Sequence, residues 1–333
     1  MYYRYKSKKK NNAVYRTLLC MLLVLSVAFL GYRYRQYILF WKFTQNKLEA
    51  RIERCAKIRD SEKRREELMQ LAGHVSQHCN ENPLSPASFL ITGRVHFLKG
   101  ETFLPGSFSE IVINDMLGDI DAAAITEFRR AIRAFHKAGA LMDSDEINPD
   151  YALMLARSYY YSDFRSNKEI LETADLAEKS GRINSVEDIR FYAILRILCG
   201  YGDSGIQYLQ DRGLVFDTIQ GRLFLATAEL IAKKYTSSIM HFKEVLGKTD
   251  SSEIMKIVHR QLGRIYFNQS LYRESLKHFS MALHIDERDN ILRIWIGKNY
   301  SALGMKDRAR AIWSEVLTTD RTNIEVKKLL GIM

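Results

Sequence analysis

Five residues, Leu262-Gly263-Arg264-Ile265-Tyr266, return 34 positions later as Ile296-Gly297-Lys298-Asn299-Tyr300, and their opening recurs once more as Leu330-Gly331. The same offset carries Ser275 onto Ala309, Phe279 onto Trp313 and Ala282 onto Val316. A chain with this period must stack similar units, because one short unit cannot bury its apolar face alone. Glycine is roughly 1 kcal/mol worse than alanine inside a helix, so Gly263 and Gly297 imply close approach of a neighbouring helix.

The order apolar-Gly, Tyr, small, aromatic, small at a 34-residue period resembles the tetratricopeptide repeat, a helix-turn-helix unit. A third unit precedes these two: Leu225, Ala226, Ser238, Phe242 and Val245 map onto Leu262, Gly263, Ser275, Phe279 and Ala282 at an offset of 37. Glu229 stands where the family has its tyrosine, and neither Glu287 nor Arg321 is the family's terminal proline. Farther back only fragments persist: Leu155-Ala156 and Tyr159 read as a first helix, Ala131, Phe135 and Ala138 as a second. All four prolines lie at or before Pro149, which leaves the rest of the chain free of the strongest helix breaker. The expected class is all-α, an α-solenoid preceded by a transmembrane helix and a helical stalk.

The segments follow. Residues 1–16 form a basic tail, and 17–41 a transmembrane helix with an aromatic and basic edge. Arg4, Lys6, Lys8, Lys9, Lys10 and Arg16 precede an uncharged run from Thr17 to Tyr32, and Arg33, Arg35, Lys42 and Lys47 follow it. That asymmetry places the N-terminus in the cytoplasm and, in a bacterium, the body in the periplasm. A cleavable signal peptide is the competing reading, since Ser26 and Ala28 have peptidase spacing. Residues 44–80 read as a stalk or helical hairpin, 84–218 as degenerate repeats with an insertion at 100–121, 219–323 as three clear units, and 324–333 as a solitary helix that caps, self-associates or accepts a partner's helix.

The net charge of +11 would suggest nucleic acid as a partner. Residues 1–60 hold 14 Lys or Arg against 3 acids, however, and the remainder holds 36 of each sign. The excess belongs to the membrane-proximal end, and nucleic acid is not expected. Cys20 falls in the apolar run, and Cys55, Cys79 and Cys199 show no CxxC spacing, so no metal or disulfide framework is indicated, although Cys55 could pair with Cys79.

No catalytic constellation emerges, and neither an enzyme nor a cofactor is expected. Gly200-Tyr201-Gly202-Asp203-Ser204-Gly205 satisfies G-x-G-x-x-G, but a helical pattern precedes it where a phosphate loop needs a strand. His74 and His78 share a helix face without a third ligand.

Binding is the remaining function. In the family the first helix of each unit lines a concave groove, which here would present Arg260, Arg264 and Asn268 at spacings of four, with Lys298 the counterpart of Arg264. Guanidinium forks suit carboxylates. Leu223, Leu230, Phe267, Ile291 and Ile294 fall on comparable positions and add apolar surface for an amphipathic helix. Ile111, Val112, Ile113, Met116 and Leu117, in the insertion, form a candidate docking element or a cover over the first repeats. These features imply a membrane-anchored scaffold that binds other proteins in assembling a membrane or cell-envelope complex, such as a flagellar motor, secretion or wall-synthesis machine. The alternative is a receptor for acidic or amphipathic segments.

Overall fold

The computed structural model describes residues 45–142, 147–162, 165–212 and 217–332. The basic tail and the 17–41 segment lie outside them, and among the described residues no helix is long and apolar enough to cross a membrane. The described regular structure is helical. The chain divides into two compact units, and the first is discontinuous, taking its helices from residues 45–102 and 130–142.

In the first unit α1 (Gln45–Ala56), α2 (Ser61–Glu81) and α3 (Pro86–Glu101) share one core of Leu48, Ile52, Cys55, Leu68, Leu71, Val75, Ile91 and Val95. The periodic stripes of segment 44–80 therefore close on each other and on α3, giving a hairpin and not an extended stalk. Asp60 starts α2 by accepting from the Lys63 amide at 2.8 Å, so the charged residues from Glu62 to Glu67 form the capped first turns of this helix. Cys55 and Cys79 are free thiols, Cys55 inside the core and Cys79 against the Ser88 carbonyl, so the conceivable bridge does not form.

The last helix of this unit is the end of α5 (Ala122–Leu141), whose Phe135 ring lies so close to Gly93 that a Cβ there would sit 2.5 Å from it. Gly263 and Phe279 make the same contact, 16 residues apart. The first unit thus contains a complete glycine-aromatic helix pair, hidden from a fixed-period search because the insertion separates its two halves.

In the second unit α4 (Phe108–Asn114) and the start of α5 precede a run of helix pairs: α6 (Pro149–Ser162) with α7 (Asn167–Lys179), α8 (Val186–Leu198) with α9 (Gly202–Asp211), and α10 (Ile219–Ile231) with α11 (Tyr235–Leu246). Then come α12 (Ser252–Asn268) with α13 (Tyr272–Ile285), α14 (Asn290–Ala302) with α15 (Lys306–Thr319), and a last helix, α16 (Ile324–Leu330).

One turn joins the members of four of these pairs. Gly200, Lys233, Ser270 and Gly304 all have φ between 59° and 91°. The amide after each bonds back to a carbonyl of the preceding helix: Tyr201 to Arg196, Lys234 to Glu229, Leu271 to Tyr266 and Met305 to Tyr300, at 2.8–2.9 Å. These are Schellman closures, which satisfy carbonyls that a helix end leaves open. The G-x-G-x-x-G match is this repeated turn, and Gly205 packs against Ala193 and Ile197 of α8.

Within pairs, the Ser238 hydroxyl donates to the Ala226 carbonyl at 2.7 Å and the Ser275 hydroxyl to the Gly263 carbonyl at 2.8 Å. In the next pair Ala309 replaces the serine, and Trp313 Nε1 donates instead to the Ile294 carbonyl at 3.3 Å. Glu229, at the family's tyrosine position, is buried and accepts from His241 Nδ1 at 2.7 Å. Val326 of α16 closes a cluster with Ile294, Ala309, Trp313 and Val316, so the solitary helix caps the last pair.

Candidate partner groove

The first helices α12 and α14 lie side by side through their aromatic residues. Phe267 meets Trp295 edge-on, with ring centroids 5.2 Å apart, and Trp295 stacks flat on Phe279 at 5.4 Å. Residues three and four apart share a helix face, so Phe267 brings Arg264 to this junction, while Trp295 brings Ile291 and Lys298. Lys298 Nζ rests 4.4 Å from the Trp295 ring centre. Ile291 is 57% exposed and Asn268 is also exposed, which leaves an apolar and amide rim in solvent.

Two of the three cations expected on this surface, Arg264 and Lys298, are paired within the chain itself. Arg264 Nη1 pairs with Asp115 Oδ2 at 3.0 Å, and Lys298 Nζ pairs with Glu325 Oε1 at 2.6 Å. Gln261 Nε2 donates to the Ile113 carbonyl at 2.8 Å, and Arg260 Nη2 approaches the same oxygen at 3.4 Å. Arg260 is half-buried, and burial pulls its guanidinium below the ordinary arginine value. It has no carboxylate at ion-pair distance among the described residues.

The insertion therefore delivers the C-terminal end of α4 to the face of α12 that carries Arg260, Gln261 and Arg264. Helix α4 starts in a capping box, in which Ser107 and Glu110 bond reciprocally. It is fixed by the Ser109 amide and hydroxyl on Glu187, at 2.9 and 2.7 Å, and by Phe108 against Tyr160 and Phe191. Ile111 and Ile113 are buried within the unit, so those two residues are not a surface for a partner. Val112 and Met116 are partly exposed, and Leu117 is 43% exposed. The Ser107-x-x-Glu110 signal could have located the helix, but no local signal names its target some 150 residues downstream.

Three of the expected apolar groove residues are elsewhere. Leu223 and Leu230 are buried in α10, whose residues 223–230 are all buried. Ile294 turns away from the Trp295 face and packs on Trp313 and Val326. Arg264, Phe267, Ile291, Lys298 and Asn268 remain as the accessible part of the surface.

A second concavity, about 700 Å³, lies between α7 and α8. Two of its carboxylates are already engaged: Asp175 accepts from Tyr192 at 2.6 Å and Glu178 from Tyr208 at 2.8 Å. Burial and these carboxylates raise both phenols above their ordinary value. Among the described residues no three His, Cys, Asp or Glu converge as a metal site. His74 approaches Arg51 at 3.4 Å, and His78 approaches Asn82 at 3.5 Å.

No family model matches the sequence, and no curated protein matches it. Solved structures do resemble it. A tetratricopeptide-repeat protein from Parabacteroides merdae superposes with a TM-score of 0.53 at 14% identity, over 86% of this chain and 98% of that one. The chain has the tetratricopeptide-repeat fold. PilW, a widely conserved type IV pilus biogenesis factor, gives a TM-score of 0.46 at 16% identity, covering 67% and 96% of the two chains. The Cut9–Hcn1 complex of the APC/C gives 0.42 at 15% identity, over 79% of this chain and 52% of that one. At these identities the likeness concerns fold, and function has to be argued from this chain's own surface.

Proposed function

We propose that this protein is a non-enzymatic scaffold that holds other proteins through the inner faces of α12 and α14, tethered to a membrane by residues 17–41. The observation that carries the reading is the exposed Ile291 beside Phe267, Trp295, Arg264 and Lys298, an apolar strip with cations at its margin. Such a strip suits an amphipathic segment bearing acidic residues. The tether rests on the uncharged run 17–32 between basic clusters, whose charge asymmetry favours a cytoplasmic N-terminus with the repeats on the other side. The tethered body would serve assembly of a membrane or envelope complex.

Capture of an acidic segment, as opposed to broad adhesion, is favoured by Arg260, a half-buried cation without a carboxylate beside the same strip. Crosslinking in the native membrane tests the scaffold, and recovery of the chain alone would refute it. The Arg264→Glu/Lys298→Glu variant separates the two modes: a receptor loses its partner, whereas a broad scaffold keeps it.

A further inference from the structure

Two of the three cations on this surface, Arg264 and Lys298, are paired with carboxylates that come from outside the helix pairs. Asp115 belongs to the turn closing α4, and Glu325 belongs to the terminal helix α16. The arrangement is lopsided in exposure: the side chains of Asp115 and Glu325 are 64% and 54% exposed, those of Arg264 and Lys298 only 31% and 26%. The cations are thus held by the structure. Arg264 also reaches Gln261 Oε1 at 3.4 Å, and Lys298 sits over Trp295. Their acids are the more solvated member of each pair.

Exposed ion pairs contribute at most about 1 kcal/mol, so exchanging one carboxylate for another costs little. Helix α4 would keep its place through the exchange, because Phe108, Ile111, Ile113 and the Ser109–Glu187 bonds anchor it independently of Asp115.

We propose that Asp115 and Glu325 are internal stand-ins for a partner's carboxylates, keeping Arg264 and Lys298 oriented and occupied until an acidic helical segment of another protein replaces them. This rests on the groove reading above and adds its regulation: affinity is set by competition with two tethered acids. The partner must offer carboxylates on one face of a helix, with apolar residues beside them for Phe267 and Ile291. A neutral amphipathic helix would gain nothing from the cations.

The test uses the full chain in detergent micelles and a fluorescently labelled amphipathic helical peptide with glutamates along one face, beside the same peptide with glutamines. Asp115→Asn suits the left-handed backbone at 115, where φ is 58°, since asparagine tolerates that conformation. The Asp115→Asn/Glu325→Gln variant should bind the glutamate peptide more tightly at low salt, by roughly two- to fivefold per released cation, and the glutamine peptide no better. Amide exchange over 107–117 should stay slow, showing that α4 is still seated. Unchanged or weaker glutamate-peptide binding, with Arg264→Glu/Lys298→Glu still abolishing it, overturns the stand-in role and leaves the groove reading intact. Indifference to Arg264→Glu/Lys298→Glu, or no binding to any form, removes the groove reading and this proposal together.

Discussion

Gly263 lies flat against the ring of Phe279, and a Cβ at that position would come within 2.9 Å of three ring atoms. Overpacking of this kind costs about 1–3 kcal/mol, against a gain of roughly 1 kcal/mol in helix propensity. Gly263→Ala should therefore lower stability by about 1 kcal/mol in urea titrations. Gly73, also helical, has nothing within 4 Å of its would-be Cβ, so Gly73→Ala should raise stability by up to about 1 kcal/mol. Equal effects at the two sites would contradict the close helix approach.

The left-handed turn between paired helices is filled by glycine at 200 and 304 but by Lys233 and Ser270 in the two pairs between. A side chain in this conformation costs about 1–2 kcal/mol, part of which glycine's freedom in the unfolded chain offsets. Ser270→Gly should stabilise the protein by about 1 kcal/mol or less, seen as a higher thermal midpoint. A lower midpoint would mean that the Ser270 side chain, which accepts from or donates to Tyr272 at 3.4 Å, matters more than its backbone.

His259 and His278 share one hydrogen bond, Nδ1 to Nδ1 at 3.0 Å, and Tyr266 stacks on His278 at 5.3 Å. Burial lowers both imidazoles, and burial followed by His259, Lys277 and Lys243 brings His278 to about 4. At His278 the unfolded chain takes up its proton near pH 6.5 and the folded one only near 4, and His259 shifts in the same direction, so acid favours unfolding across that interval. Thermal stability should be flat around neutrality and fall between pH 6.5 and 4, and His278→Phe should flatten that slope. Asp286 and Asp320 are held below the usual carboxylate range by side-chain hydrogen bonds, from Lys256 and from Asn323, so their losses begin at lower pH. An unchanged slope in His278→Phe would assign the acid sensitivity to other groups.

Gln261 is fully buried and donates to the last turn of α4 through the Ile113 carbonyl. Leaving a buried carbonyl short of its donor costs about 1–3 kcal/mol. Gln261→Leu should speed amide exchange over residues 107–117 while α14 and α15 stay protected. Uniform loss of protection would show that α4 and the later pairs open together.

The C-terminal pairs were legible because their spacing is regular: Gly297 and Trp313 repeat Gly263 and Phe279 in register, and both contacts exist. Gly93 and Phe135 make the same contact, yet the inserted residues between them defeat any search at constant period. Glu187 and Gln261 were not legible as supports of α4, since that pairing depends on long-range packing and leaves no trace in local patterning. Leu223, Leu230 and Ile294 show the converse error. Their helical phase is sound, but which faces are covered is decided by α4, α16 and the neighbouring pairs. Arg264 and Lys298 occupy equivalent register positions of successive units, while the acids they pair with, Asp115 and Glu325, lie in segments whose placement no periodicity encodes.

The split pair of Gly93 and Phe135 also orders events during synthesis. Helix α3 leaves the ribosome well before Phe135, so its glycine face stays uncovered while the insertion is made. Helix α4, produced in that interval, has to wait longer still, because Phe191 and Gln261 come later. A nascent chain halted anywhere between residues 102 and 135 would leave the Gly93 face of α3 bare although α1 and α2 already cover Ile91 and Val95, and α4 would still lack both Phe191 and Gln261.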